Sequence, residues 1–256
     1  MSKKYLIENN GFTLIELVVV IIIMGILALA GIRTISKSSD NAKYQSTLRE
    51  MEALKIAMVG DERLIEGGKR VSFGYVGDVG QLPPTLQDLI SNVSSKPNWN
   101  GPYMAQNFTD NPNDYLYDGW NSAYTYNVAT ASITSSGGGT PVSINLVKTQ
   151  NPDDLEKLKI VGIVSDRDGN VPLPTDVVNI HIDVTLANGT NLPSVNPGTD
   201  GMYTVQNVPI GVQTVVATHD SVTGFNQEVW PYQGVRVYPI VGGQQNVKFN
   251  QTLPGW

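Results

Sequence analysis

The sequence contains no cysteine, which excludes a disulfide framework, a thiolate metal site and a cysteine nucleophile. Histidine is nearly absent as well. Neither His181 nor His219 is followed three residues later by a glutamate, as a zinc peptidase site would require, so we expect both to be solvent-facing strand residues. Basic residues are in the minority, and the net charge of −6 argues against a nucleic-acid partner, which would need a basic stripe.

Catalytic motifs are missing too. The chain has no G-x-S-x-G nucleophile elbow, and its glycine-rich residues 74–83 lack the lysine and the spacing of a phosphate loop. We interpret residues 74–83 as an ordinary loop. The sequence therefore predicts a protein that is not an enzyme and that needs no cofactor.

One long apolar run is present, over residues 14–32, and its single charged side chain is Glu16. A helix of about 20 apolar residues is long enough to cross a bilayer. A carboxylate in lipid costs about 2.5 kcal/mol or more unless it finds a partner, so Glu16 is a candidate functional residue. Hydropathy alone also allows a plain membrane anchor. It also allows a secretory signal that is cut after the Ala-Leu-Ala sequence of residues 28–30.

Residues 11–18 read GFTLIELV and closely resemble the class III signal of type IV pilins and type II secretion pseudopilins. The resemblance implies that a prepilin peptidase cuts between Gly11 and Phe12 and that the new amine of Phe12 is N-methylated. A glycine before the cut lets the backbone lie close to the peptidase. The resemblance also implies that Glu16 pairs with the N-terminal amine of a neighbouring subunit, so that assembly offsets the cost of burying the carboxylate.

The charges that flank the apolar run do not decide its orientation, because Lys3 and Lys4 precede it and Arg33 and Lys37 follow it. Only the resemblance places the leader, residues 1–11, in the cytoplasm. It implies a single-pass protein of the bacterial inner membrane whose remainder lies in the periplasm, or outside the cell in a filament. The implied partners are other pilin or pseudopilin subunits, the prepilin peptidase/N-methyltransferase and the inner-membrane assembly platform.

An amphipathic pattern extends the predicted helix beyond the apolar run. The pattern predicts one long helix over residues 12–59, with a transmembrane part at about 14–32. Gly60 and the glycine pair at 67–68 end it. The apolar residues that recur at three- and four-residue steps are Leu48, Met51, Leu54 and Met58.

Residues 60–148 are predicted to form a small head. Thr85 is expected to cap a short helix that runs through Ile90. The W-x-G-P-Y motif at 99–103 and the aromatic stretch 118–126 resemble segments of major-pseudopilin-like proteins. In those proteins aromatic residues pin a loop and a small antiparallel sheet to the long helix. Tyr124, Tyr126 and Val128 alternate with polar residues, as expected for a strand.

In that family the loop after these strands can bind calcium. Here the corresponding residues 135–139 contain no acid. Asp110, Asp114 and Asp118 are weak candidate ligands from the preceding loop, because carboxylate oxygens suit a hard cation. A solvated acidic loop is the favoured interpretation, so no metal site is predicted.

Residues 149–156 combine a proline with neighbouring acids and predict a linker. Beyond it, residues 157–256 show short alternating runs separated by turn residues, which is typical of an all-β sandwich. The positions predicted to face its core are Ile180, Ile182, Val184, Leu186, Val212, Thr214, Val216, Val235, Val237, Val247 and Phe249.

The same segment resembles the carboxypeptidase regulatory-like domain, a transthyretin-like sandwich of about seven strands. The resemblance implies a fold and brings no peptidase chemistry. Residues 166–169 are interpreted as a hairpin turn, because the remaining spacing of a calcium loop is missing. The motifs that carry the resemblance are G-x-V-x-D-x-x-G at 162–169, V-P-L at 171–173, D-G-x-Y at 200–203 and V-P-x-G at 208–211.

The sequence as a whole predicts an α+β chain with a long helix, a small head and a sandwich. The predicted function is a structural subunit of a type II secretion pseudopilus or type IV pilus. A minor subunit is favoured, because a sandwich on every subunit would crowd a tight filament. The alternative is a displayed binding or adhesion protein whose sandwich recognises a carbohydrate or protein. The exposed-looking residues 230–232, Trp-Pro-Tyr, motivate that alternative.

Overall fold

The structure is a computed structural model that describes residues 13–104, 112–220 and 228–249, with the side chains of 28–36 and 228–233 left out. It combines helices with several antiparallel sheets. Two compact units divide the chain, Met1–Ser46 and Thr47–Trp256.

Helix α1 (Leu14–Val59) is the longest element, with 46 residues. Its last turns confirm the predicted apolar face, because Met51, Leu54 and Met58 are buried in the core of the second unit. Gly60 then ends the helix with φ +85°, and a Cβ there would lie 2.3 Å from the carbonyl oxygen of Ser72. Only glycine fits this position, because both the left-handed backbone and the close approach exclude a side chain.

Short elements follow α1 and build the head. A hairpin of β1 (Ile65–Glu66) and β2 (Lys69–Arg70) precedes helix α2 (Gly74–Val79). Strands β3 (Thr125–Asn127), β4 (Ser132–Ser135) and β5 (Val142–Asn145) form an antiparallel sheet in that order. The 3₁₀ helices of the head are Leu86–Leu89 and Asp114–Leu116.

Helix α2 corrects the interpretation of residues 74–83 as a loop. Its glycines serve close packing. A Cβ on Gly77 would lie 2.4 Å from the Cβ of Phe73, and one on Gly74 would lie 2.6 Å from the carbonyl oxygen of Ala57. The sequence pattern suggested a loop because glycine is common in loops, whereas here it lets a helix approach neighbouring backbone.

The predicted cap at Thr85 is confirmed. The carboxylate of Asp88 accepts hydrogen bonds from the backbone N–H of Thr85 at 3.2 Å and from its hydroxyl at 2.8 Å. Asp88 also accepts from the backbone N–H and the hydroxyl of Ser94, both at 2.8 Å. This buried carboxylate therefore holds the start of a 3₁₀ helix and the loop that follows it.

One aromatic side chain of the head bonds to α1, and others pack within the head. The Tyr124 hydroxyl donates to Glu50 Oε2 at 2.9 Å. The Trp99 indole N–H donates to the Asp88 carbonyl at 2.6 Å, and the Trp99 ring packs edge-on against Tyr103 with centroids 5.8 Å apart. Tyr124 thus links the 118–126 segment to α1, whereas the hydrogen bond and the ring contact of Trp99 lie within the head. The Tyr126 hydroxyl is also buried, but it has no hydrogen-bond partner among the described residues.

The C-terminal part contains two sheets. Strand β6 (Leu158–Ser165) pairs antiparallel with β8 (Met202–Val208) on one side. On its other side it pairs in parallel with β11 (Gly243–Gln244) and β12 (Val247–Lys248). The second sheet has the order β10-β9-β7, and its strands are β7 (Ile180–Thr185), β9 (Gly211–His219) and β10 (Glu228–Val237).

The buried side chains of both sheets belong to one hydrophobic core. The predicted alternation is confirmed on β7, where Ile180, Ile182 and Val184 are fully buried, and at Val237 and Phe249. The match to a carboxypeptidase regulatory-like domain stays a prediction.

The predicted face of β9 is wrong by one residue. Val212 is exposed and Thr214 and Val216 are half-buried, whereas Val215 and Ala217 are buried. Both faces of this strand carry valine, so hydropathy alone does not select one. Gln213 decides the register, because its buried amide donates to the Pro209 carbonyl at 3.0 Å and accepts from the Ala187 N–H at 2.8 Å.

The segment predicted as a linker, 149–156, lies inside the second compact unit. It contains the one-turn helix α3 (Asp153–Glu156), whose Leu155 is fully buried. The Leu155 carbonyl accepts from Ile210 N–H at 2.8 Å, and Glu156 Oε1 accepts from Leu82 N–H at 2.6 Å. The head and the C-terminal sheets therefore share hydrogen bonds through this segment.

Candidate functional site

The start of α1 is organised by one reciprocal set of hydrogen bonds. Glu16 Oε2 accepts from the backbone N–H of Thr13 at 2.9 Å and from its hydroxyl at 2.8 Å. The Thr13 hydroxyl oxygen accepts in return from the Glu16 N–H at 3.3 Å. This is a capping box, in which a threonine and a glutamate three residues later satisfy orphan donors of the first turn.

The second oxygen of the carboxylate, Glu16 Oε1, accepts no hydrogen bond from any described residue. It also lies at the positive end of the helix dipole, where a negative charge is favourable. The site therefore presents an exposed carboxylate oxygen three positions after Thr13, the first described residue of the chain. Such an oxygen can accept a hydrogen bond from a cation such as an ammonium group.

The side chains behind Glu16 form an uncovered apolar surface. All described apolar residues of the first turns are exposed, from Leu14 at 81% to Leu27 at 66%. Residues 17–27 contain no charged side chain. An apolar surface of this kind marks a site of contact with lipid or with other protein helices.

The predicted cleavage residues Gly11 and Phe12 lie outside the described residues, as does the leader 1–11. The predicted transmembrane part, 14–32, ends within residues 28–36, whose side chains are likewise not described. Within the described chain, no helix has an apolar stretch that meets the length needed to cross a membrane.

A family model, the prokaryotic N-terminal methylation motif, matches residues 8–32. The match supports a type IV pilin-like protein. The match includes Gly11, Phe12 and Glu16, and it implies processing by a prepilin peptidase and assembly with other pilin subunits. It supports a membrane-anchored, cell-surface or periplasmic protein.

Comparisons over the rest of the chain add little. No curated protein matches this sequence. A solved structure titled "Crystal Structure of S.CueP" is similar over 49% of this chain and 76% of its own, with 12% identity and a TM-score of 0.22. A TM-score of this size does not indicate a shared fold.

The weak calcium candidates separate in the structure. Asp110 lies outside the described residues, and Asp114 begins a 3₁₀ helix. Asp118 is buried and saturated by protein donors: Oδ1 accepts from the N–H groups of Trp120 and Ser122, both at 2.9 Å. Among described residues, no group of three or more acidic, histidine or cysteine side chains could hold a metal ion.

Asp118 instead joins two loops directly. Its Oδ2 accepts from the Ser135 hydroxyl at 2.5 Å and from the Gly137 N–H at 2.9 Å. Burial alone would raise the pKa of Asp118, but these hydrogen bonds and those from the 118–122 turn lower it below its usual value. The expectation of a solvated acidic loop is wrong for this residue, because its carboxylate is a structural acceptor.

The two histidines lie at the end of the β7–β9 pair. His219 is buried, and its Nε2 lies 3.0 Å from Asp176 Oδ2, so the prediction that it faces solvent is wrong. It continues the buried face of β9, and the carboxylate makes its burial possible. His181 is about one-third exposed and pairs with Asp220 Oδ2 at 3.0 Å.

Residues 166–169 form a turn, but the prediction of a hairpin there is wrong. Asp166 is fully buried, and its carboxylate accepts from the N–H groups of Asp168 at 2.8 Å and Asn170 at 2.9 Å. No strand is assigned to residues 170–176, so the turn does not close a hairpin. The side chains of 230–232, which motivated the adhesion alternative, lie outside the described residues.

Proposed function

We propose that this chain is a non-enzymatic, minor structural subunit of a type II secretion pseudopilus or a type IV pilus. The observation that carries the proposal is the methylation motif at residues 8–32 together with the exposed carboxylate at Glu16. In this proposal the apolar segment 14–32 holds the precursor in the bacterial inner membrane. The prepilin peptidase then cuts between Gly11 and Phe12 and methylates the amine of Phe12.

Assembly follows from the chemistry of Glu16. Oε2 stays in the capping box, and Oε1 accepts a hydrogen bond from the Phe12 ammonium group of the neighbouring subunit. Packing of apolar helices removes both charges from water, and a buried carboxylate without a partner is strongly unfavourable. The pair therefore forms only when subunits are in register, which makes Glu16 a register-setting residue.

The proposal on the C-terminal part is structural as well. Beyond residue 148 the chain adds two sheets with a common core to the head. This bulk favours sparse incorporation or a tip position, because identical bulky heads on every subunit would crowd a filament.

Two variants separate the two roles of Glu16. Glu16→Gln keeps the capping box, since glutamine also serves at this position, but it removes the charge. Thr13→Ala removes the threonine hydroxyl and keeps the charge. We expect E16Q to be cleaved normally but to enter filaments at least about tenfold less, the effect of losing one buried charge pair. We expect T13A to enter filaments almost as well as wild type.

Filament incorporation is measured by immunoblotting sheared filaments, and processing by the mobility of the membrane-bound chain. Glu52→Ala, at an exposed position of α1, serves as the matched control. Normal incorporation of E16Q would disprove the charge-pairing mechanism. Loss of incorporation in T13A but not in E16Q would show that the capping box, and not the ammonium pair, is what assembly needs.

A further inference from the structure

A cavity of about 560 Å³ opens beside the C-terminal end of α1. It is bounded by Val59 of α1, by the β1–β2 hairpin, by residues 146–148 after β5 and by residues 238–240 after β10. All of these residues belong to the compact unit Thr47–Trp256. The volume lies within the range of about 300–1,000 Å³ that is common for small-molecule sites.

Arg70 on β2 lines this cavity and is only 7% exposed. Its guanidinium donates to the carbonyl oxygens of Ser72 at 2.7 Å, Val59 at 2.5 Å and Gly60 at 3.2 Å. It also lies 5.1 Å from the centre of the Phe73 ring. These contacts fix the side chain in place and cap the last carbonyls of α1.

Arg70 forms no salt bridge with a described residue, and its Nη1 donates to none of them. The carboxylates of Glu62 and Asp61 act on its charge only from a longer distance, and they favour the charged form. Burial lowers the pKa of Arg70, so the charged form is held in an unfavourable environment. An anion in the cavity would relieve this cost.

Two further cations line the cavity, Lys55 and Lys148, against a single acid, Glu62. The cavity is thus locally positive in a chain whose net charge is −6. The positive charges lie on three separate elements, and the fold brings them to one place. A neutral ligand would not neutralise this positive charge.

The remaining walls are apolar. Val59, Leu146 and Val147 line the cavity and are buried. Ile65 and Ile240 line it as well, although they are 62% and 49% exposed. Apolar side chains left open beside a concave surface are typical of a binding site. An inorganic anion such as phosphate would not cover them.

We infer that this cavity binds a small amphipathic carboxylate, whose carboxyl group faces Arg70, Lys55 and Lys148 and whose apolar body covers Ile65 and Ile240. A carboxylate matches the fork of a guanidinium, and lysine ammonium groups add to the attraction. A cationic or purely polar ligand would leave the charges or the apolar walls unsatisfied. The site is independent of filament assembly, because no residue of the processing signal takes part.

Photoaffinity labelling of the full chain in lipid nanodiscs tests this inference. The probe is decanoate with a diazirine on its alkyl chain, and labelled peptides are identified by mass spectrometry. Labelling of the apolar residues 14–27 by probe dissolved in lipid serves as the internal reference. We expect labelling of peptides that contain Ile65 or Ile240, and we expect excess unmodified decanoate to suppress it.

Charge variants provide the specificity test. The double variant Lys55→Gln/Lys148→Gln should reduce labelling at the cavity by about tenfold relative to the reference, the effect of two lost charge-assisted contacts. The control Lys96→Gln/Lys248→Gln removes two lysines that do not line the cavity and should change nothing. Arg70 is left intact, because its hydrogen bonds support the end of α1.

The matching decylamine probe completes the experiment, with the same diazirine and a positive head group. It should label the reference segment but not the cavity peptides. Equal labelling of the cavity by both probes, unchanged labelling in K55Q/K148Q, or no labelling of the cavity peptides by the decanoate probe would each overturn the inference.

Discussion

The Glu16 side chain serves its own helix and, in the proposed filament, a neighbouring subunit. One oxygen closes the capping box with Thr13, and the other is free for an ammonium group. The N-terminal end of the helix and the ammonium group both carry positive charge. Both interactions therefore stabilise the ionised carboxylate. The spacing Thr-x-x-Glu could have revealed the capping box from the sequence, but it lies inside the processing signal and is easily attributed to that signal alone.

Asp118 provides a second prediction for a single residue. Asp118→Ala leaves the Ser135 hydroxyl and the amides of the surrounding turns without an acceptor, and we expect the free energy of unfolding to fall by about 2–4 kcal/mol. Denaturant titration of the full chain measures this loss. Asp200→Ala, an exposed aspartate whose carboxylate accepts from Met202 N–H, is the control and should cost under about 1 kcal/mol. Equal losses would contradict the structural role of Asp118.

The pKa of Asp118 gives the sign of the pH dependence. Because the folded-state pKa lies below the unfolded value of about 3.9, its stabilisation is fully present above that value. It is lost as the pH falls through the folded-state pKa. D118A should therefore lose less stability on acidification than wild type, and addition of EDTA should leave both midpoints unchanged. A calcium-dependent midpoint would instead favour a metal at this aspartate.

At the scale of elements, the end of α1 depends on glycine. Gly60→Ala combines a left-handed backbone with a Cβ only 2.3 Å from the Ser72 carbonyl oxygen. Gly139→Ala is the matched control, because Gly139 also has a positive φ but nothing lies within 4 Å of its Cβ position. We expect G139A to cost about 1 kcal/mol and G60A clearly more, since the backbone must also move. Similar losses in thermal unfolding would contradict this account.

Sequence patterns were sufficient to predict the buried faces of some helices and strands. Period-3.6 hydropathy predicted the buried face of α1, and period-2 alternation predicted that of β7, because one face of each is apolar and the other polar. The pattern failed on β9, whose valines lie on both faces and whose register depends on the hydrogen bonds of Gln213. It failed at α2, where the glycines permit close contacts that involve residues distant in sequence, such as Ala57.

Buried polar residues could not be predicted either, because their burial depends on partners that are distant in the sequence. His219 and Asp118 look like surface residues in sequence, and each is buried because a partner distant in the chain satisfies it. Those partners, Asp176 and the Ser135 loop, carry no sequence signal of the pairing. The methylation motif at residues 8–32 was predictable from the sequence, because its residues are contiguous.

At the scale of the whole molecule, the head and the C-terminal sheets are expected to unfold together. Besides the bonds of Leu155 and Glu156, Asn188 Nδ2 donates to the Val79 carbonyl at 3.0 Å and Arg236 Nε donates to the Arg70 carbonyl at 2.9 Å. Leu155→Ala should destabilise both parts by about 2–5 kcal/mol, because it opens a cavity in the shared core.

Hydrogen exchange with mass spectrometry measures both parts in one experiment. We expect L155A to speed exchange in β6 and in the β3–β5 sheet alike, whereas Leu173→Ala, at an exposed position, should change neither. Faster exchange confined to one part would show that the two parts unfold independently.

The central claim is that this chain is processed and assembled as a pilin-type subunit. The mature N-terminus tests it most directly, by mass spectrometry of the chain purified from membranes and from sheared filaments. The account predicts a chain that begins with N-methylated Phe12. An intact Met1 would indicate a plain membrane anchor, and a chain that begins at Gly31 an ordinary secretory signal; either result would contradict the account.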